Sequence, residues 1–149
     1  MSQQRQSGDE TMREHRTVRQ LAGTVEAMVA EADPEGRWLD GLCPRLEALR
    51  EQLTGHFGRE SKSYLFEELP AVYPRHRRQI ERLEAEHAEI LRRLNAAIEQ
   101  AGAADGPDAA SMERLRSKVL ALMTTLRRHE AEEDEILVSA YWDEHGGGD

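Results

Sequence analysis

His56-Phe57-Gly58-Arg59-Glu60 and His129-Glu130-Ala131-Glu132-Glu133 share one spacing, a histidine followed four residues later by a glutamate. On a helix that spacing stacks the two side chains on one face, about one turn apart. Both pairs interrupt stripes that are otherwise apolar: Leu42, Leu46, Leu49, Leu53, His56, Glu60 in one, and Leu115, Val119, Leu122, Leu126, His129, Glu133, Leu137, Ala140 in the other. Ionisable groups in a would-be core need a compensating partner.

Two further helical stripes flank these. Met12, His15, Val18, Ala22, Val25, Val29 recur in steps of three and four, and so do Ile80, Leu83, His87, Leu91, Leu94, Ile98. Asp33-Pro34, Leu69-Pro70 to Pro74 and Gly102 to Pro107 punctuate the chain. The first helix is expected from about residue 9 to 32. The second starts between 40 and 44, where Pro44 is tolerated in a first turn, and fades near 69. The third starts near 75 and the fourth at Asp108 or Ser111. The expected organisation is a disordered lead-in over 1–8, a helical bundle over 9–142 and a flexible tail over 143–149. Four such helices with short links predict an all-α, up-down-up-down four-helix bundle.

Composition agrees with that class and limits the partners. Of the 149 residues 33% are charged and only 5% aromatic, and the net charge is −9. An acidic chain is a poor match for nucleic acid or an anionic membrane. A single cysteine, Cys43, excludes an internal disulfide framework. No apolar run has the length of a membrane span, and the polar start Met1-Ser2-Gln3-Gln4 does not read as a signal peptide. A soluble, cytoplasmic protein is expected.

A weak internal repeat ties the stripes together. Glu14-His15 precedes His56…Glu60 by nearly the interval that separates Glu86-His87 from His129…Glu133. Measured along helices rising ~1.5 Å per residue, the four histidines fall at one level, His15 and His56 both roughly 25 Å from the turn that joins them. Four imidazoles and two carboxylates converging inside a bundle call for cations. Each of two ions takes two histidines, with Glu60 and Glu133 placed to bridge them. Mixed imidazole and carboxylate donors suit iron, and less uniquely manganese or zinc.

A histidine, an HxxxE, a histidine and a second HxxxE, in that order over about residues 9–142, resemble the hemerythrin-like, or HHE cation-binding, domain. The resemblance implies a pair of non-haem iron ions bridged by two carboxylates and an oxo or hydroxo group, held by His15, His56, Glu60, His87, His129 and Glu133. There is one departure. Oxygen-carrying hemerythrins place a second histidine one turn from the first on their third helix, and here those positions are Leu83 and Leu91. Water, Glu84 or Tyr64 are the candidates for the missing ligand.

Blander readings set the remaining residues. His76 and His145 are expected at the surface, Glu14 and Glu86 in solvent, and Cys43, Trp38 and Trp142 in the core. Tyr64, one turn beyond Glu60 on the same stripe, is expected to cap the core with its hydroxyl in water. Glu84 and His87 make one ExxH of the ferritin kind, but Met12 stands three before His15, so no counterpart exists. The expected function is binding or sensing of oxygen, peroxide or nitric oxide, or the handling of iron. A peroxidase-like or nitric-oxide-consuming enzyme, and a metal-free helical module whose polar layer fixes register, are the alternatives.

Overall fold

The computed structural model describes residues 2–31, 33–103 and 108–145, and among them the only regular structure is helical. Four long helices, α1 (Ser2–Ala30), α2 (Trp38–Glu60), α5 (Arg77–Ala103) and α6 (Ala109–His145), pack in a ring in which α1 meets α2 and α6, and α5 meets α2 and α6. Two one-turn helices, α3 (Tyr64–Glu67) and α4 (Leu69–Val72), and a 3-10 turn at Pro74–His76 lie between α2 and α5.

Local chemistry explains the boundaries. After α1, Gly36 adopts a left-handed φ of 78°, a conformation open to glycine at no steric cost. Asp33 steadies that turn by accepting the Arg37 N–H at 3.1 Å. Asp108 caps α6 by accepting the Ser111 N–H at 2.7 Å. The end of α2 is also built by side chains. Ser63 donates its hydroxyl to the Glu60 carbonyl at 2.6 Å, and Ser61 donates to the Phe57 carbonyl at 2.9 Å. The Ser63 amide also bonds the Glu60 carbonyl and the Lys62 amide the Arg59 carbonyl, contacts three residues back that replace the helical ladder, so the helix stops at Glu60 although the apolar stripe runs on.

Several expectations are corrected here. Residues 2–8, expected to be a disordered lead-in, belong to α1, and α6 runs on to His145, while 146–149 lie outside the described residues. The helix carrying Pro44 starts earlier, at Trp38, because Trp38 and Leu39 are both buried, and Pro44 sits inside it. Trp142 is not core: it is 62% exposed near the end of α6. Cys43 is half-buried and donates to Glu47 at 3.4 Å.

The apolar side chains form two clusters. The larger gathers Val18, Leu53, Phe57, Ile90, Leu94, Leu126 and their neighbours towards the far ends of α1 and α2. The smaller joins Tyr64, Leu65, Phe66 and Leu69 to Ile80, Leu83, Ile136 and Leu137. On α1, α5 and α6 the residues between the two clusters are the histidines and glutamates of the stripes, and on α2 His56 and Glu60 flank Phe57 at the edge of the larger cluster. A polar layer is thus enclosed by apolar packing above and below.

Leu53 is fully buried one turn before His56. Leu53→Ala is expected to lower unfolding free energy in urea by about 2–5 kcal/mol. Trp142→Ser is expected to stay within about 0.5 kcal/mol of the parent.

Candidate metal centre

Each long helix supplies the layer by its own periodicity: His15 from α1, His56 and Glu60 from α2, His87 from α5, and His129 and Glu133 from α6. All six are buried, His87 the least deeply at 6% exposure. They form two groups, His15, His56, Glu60 and Glu133 in one and Glu60, His87, His129 and Glu133 in the other, with the donor atoms of each group within 4.8 Å of one another.

The carboxylates divide their oxygens between the groups. Glu60 presents Oε2 to His15 Nε2 at 3.1 Å and to His56 Nε2 at 3.0 Å, and Oε1 to His87 Nε2 at 3.0 Å. Glu133 presents Oε1 to His15 Nε2 at 3.1 Å, and Oε2 to His87 Nε2 at 3.3 Å and His129 Nε2 at 3.0 Å. Two donors each about 2.1 Å from one ion and at right angles to it stand about 3.0 Å apart. Proximity without hydrogen bonding points the same way: His56 Nε2, His129 Nε2, Glu60 Oε1 and Glu133 Oε1 are buried and make no hydrogen bond. Buried polar atoms of that kind are rare and call for an explanation. The donor set fits a cation in each group.

The outward ring nitrogens are held as ligand imidazoles usually are. His15 Nδ1 bonds Asp134 Oδ1 at 2.7 Å, His56 Nδ1 bonds Glu14 Oε1 at 3.3 Å, and His129 Nδ1 bonds Glu86 Oε1 at 2.9 Å. With Nδ1–H donating, Nε2 faces inward with its lone pair. Glu14 is held in turn by Arg59 at 2.7 Å, and Glu86 by Arg82 at 3.0 Å. Burial resists the ionisation of Glu14, but Arg59 and His56 hold its carboxyl below the usual range. The expectation that Glu14 and Glu86 are merely solvated is therefore corrected: each hydrogen-bonds the HxxxE histidine of the neighbouring helix.

Charge in the layer is balanced by protons when no cation is bound. Burial opposes charging His15, yet its bonds to Asp134, Glu133 and Glu60 prevail and push its pKa up to about 12. Against the same opposition, Glu133 and Glu60 raise His87 to about 9. Burial also disfavours ionised Glu60, but His15, His56 and His87 hold its carboxyl well below the ordinary range.

Of the two proposed extra ligands, Glu84 is not brought to the centre. Glu84 is exposed on α5, because a residue three before His87 lies off the inward face when Leu83 occupies it. Tyr64 is not one turn further along α2. The helix has ended, and Tyr64 opens α3, buried with Leu65, Phe66 and Leu69 in the smaller apolar cluster. His76 closes the 3-10 turn half-buried and outside both groups, and the side chain of His145 lies outside the described residues.

The structure adds residues that the sequence reading passed over. Asp134 was hidden in the acidic run after His129. So was Glu130, which is 1% exposed and has neither carboxylate oxygen in a hydrogen bond. Burial drives the Glu130 pKa up to about 7. Its signal was the stripe Leu126, Glu130, Glu133, Leu137, which continues the inward face through position 130.

The hemerythrin HHE cation binding domain matches this chain over residues 8–141. The chain belongs to that family. The six clustered residues of this HHE domain include both HxxxE pairs, one from α2 and one from α6, and the family's cation binding accounts for the four inward atoms of those pairs that are buried without a hydrogen bond. Neither the curated proteins nor the solved structures gave a match to this HHE chain.

Metal ligation needs neutral imidazoles, so cation uptake at pH 8 is expected to release protons from His15 and His87, measurable by calorimetry in buffers of different ionisation enthalpy. The raised histidine values also fix a stability trend. Their contribution in the metal-stripped protein is complete below the ordinary histidine pKa and is lost as pH rises through the folded value. The melting temperature of stripped protein is expected to fall between about pH 6.5 and 9 as His87 loses its proton. A flat or rising profile would contradict the assignment. Glu86→Ala removes the partner of His129 Nδ1 and is expected to weaken cation affinity roughly 10- to 100-fold.

Proposed function

We propose that this protein holds two iron ions, one between His15 and His56 and one between His87 and His129, with Glu60 and Glu133 bridging them. Its role on this reading is to bind or sense a small ligand such as oxygen, peroxide or nitric oxide. The observation that carries the proposal is the division of each carboxylate, one oxygen turned to each half of the layer. A carboxylate serving one ion alone has no need of histidines on both sides. The four long helices are read with it as an up-down-up-down bundle.

Iron bound here supplies reversible electron exchange and coordination positions that polarise a small molecule. The protein supplies the rest. The imidazoles are oriented by Asp134, Glu14 and Glu86, and the two apolar clusters exclude bulk water. Around His87 the wall is aromatic: the Phe57 ring lies flat on the imidazole, 3.9 Å between centroids, and Phe66 meets it edge-on at 5.2 Å. Such a wall suits a small, weakly polar ligand and repels larger polar substrates.

The departure at helix three bears on which role is served. Leu83 is fully buried in the smaller apolar cluster, and Leu91 packs against the larger one, so the histidine pair of the oxygen carriers has no equivalent here. That difference favours sensing or reductive chemistry over reversible carriage.

Iron analysis of protein loaded with ferrous iron without oxygen is expected to give about two ions per chain, with a diferric absorption band after oxidation. His56→Ala and Glu133→Ala are expected to lose metal while His76→Ala keeps it. Equal loss from His76→Ala, or a metal-free protein whose melting temperature iron leaves unchanged, would refute the centre. Mixing reduced protein with oxygen separates the roles. A stable, reversible oxygenated spectrum supports binding or sensing, and rapid oxidation with peroxide turnover supports an enzyme.

A further inference from the structure

The two halves of the layer differ in the residue that follows each HxxxE histidine. After His56 on α2 comes Phe57, stacked on His87 with 6° between the ring planes. After His129 on α6 comes Glu130, where the internal repeat would put the counterpart of that ring. Glu130 is 1% exposed, and neither of its oxygens makes a hydrogen bond. The charged groups that act on it are His15, His56, Glu133 and Arg19. His15 and His56 belong to one ligand group and Glu133 to both, while Glu130 itself stands in neither.

The next position after each glutamate repeats the contrast. Asp134, after Glu133, bonds His15 Nδ1 at 2.7 Å. Ser61, after Glu60, turns its hydroxyl back to the Phe57 carbonyl at 2.9 Å. Glu14 and Glu86 are common to both halves, one for each HxxxE histidine. Glu130 and Asp134 belong to the first half alone, and Phe57 and Phe66 crowd His87 in the second.

A carboxylate buried with no hydrogen bond is strongly disfavoured unless another charge compensates it. The inward donor of His15 already faces Glu60 and Glu133, and its outer nitrogen is committed to Asp134. Arg19 is engaged with Asp134 at 3.3 Å. A proton, or a cation between His15 and His56, is what remains to neutralise it. Two imidazole nitrogens and two bridging oxygens leave such an ion short of the six donors that iron commonly takes, so a third oxygen has a place.

We propose that Glu130, buried beside the layer but outside both donor groups, turns in as a further carboxylate ligand of the ion held by His15 and His56, which makes the two metal positions chemically unequal. The proposal rests on the dinuclear reading above. Oxygen donors favour the harder, more highly charged ion. The His15–His56 position is therefore the tighter of the two and the last to release its metal, and the His87–His129 position, walled by aromatic rings, exchanges first.

The test uses the full chain and two variants, Glu130→Gln, which keeps the volume, and Glu130→Leu, which removes the polarity. Each is loaded with ferrous iron without oxygen, then followed for iron per chain, iron loss to a chelator and Mössbauer spectrum. The stripped proteins are melted alongside. Wild type is expected to lose iron in two phases and to show two quadrupole doublets. In both variants the slow phase is expected to speed up roughly tenfold and the doublets to converge. Both stripped variants are expected to melt no lower than stripped wild type, since an uncompensated buried carboxyl has gone. A residue with only a packing role predicts the reverse, a lower melting temperature with iron retention unchanged.

Whatever the melting temperatures, variants with wild-type doublets and wild-type loss rates overturn the role of Glu130 while leaving the dinuclear centre intact. Wild type that takes up no iron overturns the centre itself and the ligand with it.

Discussion

Glu60 and Glu133 set the constraint on which the rest of this structure depends. Both are buried in the middle of a helical bundle, and each shares its two oxygens between histidines of different hairpins. Removing an ionised carboxylate from water costs several kcal/mol even after relaxation. The cost is offset only while all four histidines remain where they are. Rotating or sliding one long helix by a turn breaks contacts in both halves at once. The polar layer therefore locks the register of α1, α2, α5 and α6 more tightly than interchangeable leucines would, which tolerate repacking.

Around that layer the fold is arranged to hold it still and dry. The apolar cluster on one side buries Leu53, Phe57, Ile90 and Leu126, and the other buries Phe66, Leu83 and Ile136. Both lower the local dielectric and so strengthen each contact between carboxylate and imidazole. Ser63 fixes the backbone under Glu60 by bonding its carbonyl through both hydroxyl and amide. Arg59 and Arg82 hold Glu14 and Glu86, which hold two of the imidazoles. A cation centre that must keep its donors near 3.0 Å from one another needs such support, because unrestrained side chains would relax towards ordinary hydrogen bonds.

Much of the fold was legible because amphipathic periodicity is local. The stripes through His15, His56, His87 and His129 named the four long helices, and the HxxxE spacing named both glutamates. What failed was decided by weaker, competing contacts. The stripe beyond Glu60 continues smoothly to Tyr64, so nothing in the pattern shows that Ser63, with hydroxyl and amide both on the Glu60 carbonyl, ends the helix there. Trp142 carries the chemistry of a core residue, but its position on α6 leaves it outside the ring of helices. Residues 2–8 are polar and patternless, yet they extend α1, and Ser7 in that stretch accepts the Tyr64 amide at 3.4 Å.

The sequence by itself determined which six side chains share an inward face, because the spacing of three and four residues acts within a single helix and needs no neighbour. Only the tertiary structure decided which oxygen meets which nitrogen, which outer carboxylate steadies each ring, and that Glu130 joins the buried layer while Glu84 stays at the surface. Those outcomes depend on the rotation of each helix about its axis, set by packing against residues far away in the chain. A single helix turned by one residue's arc would have exchanged Glu130 for a solvated glutamate without altering the local pattern at all.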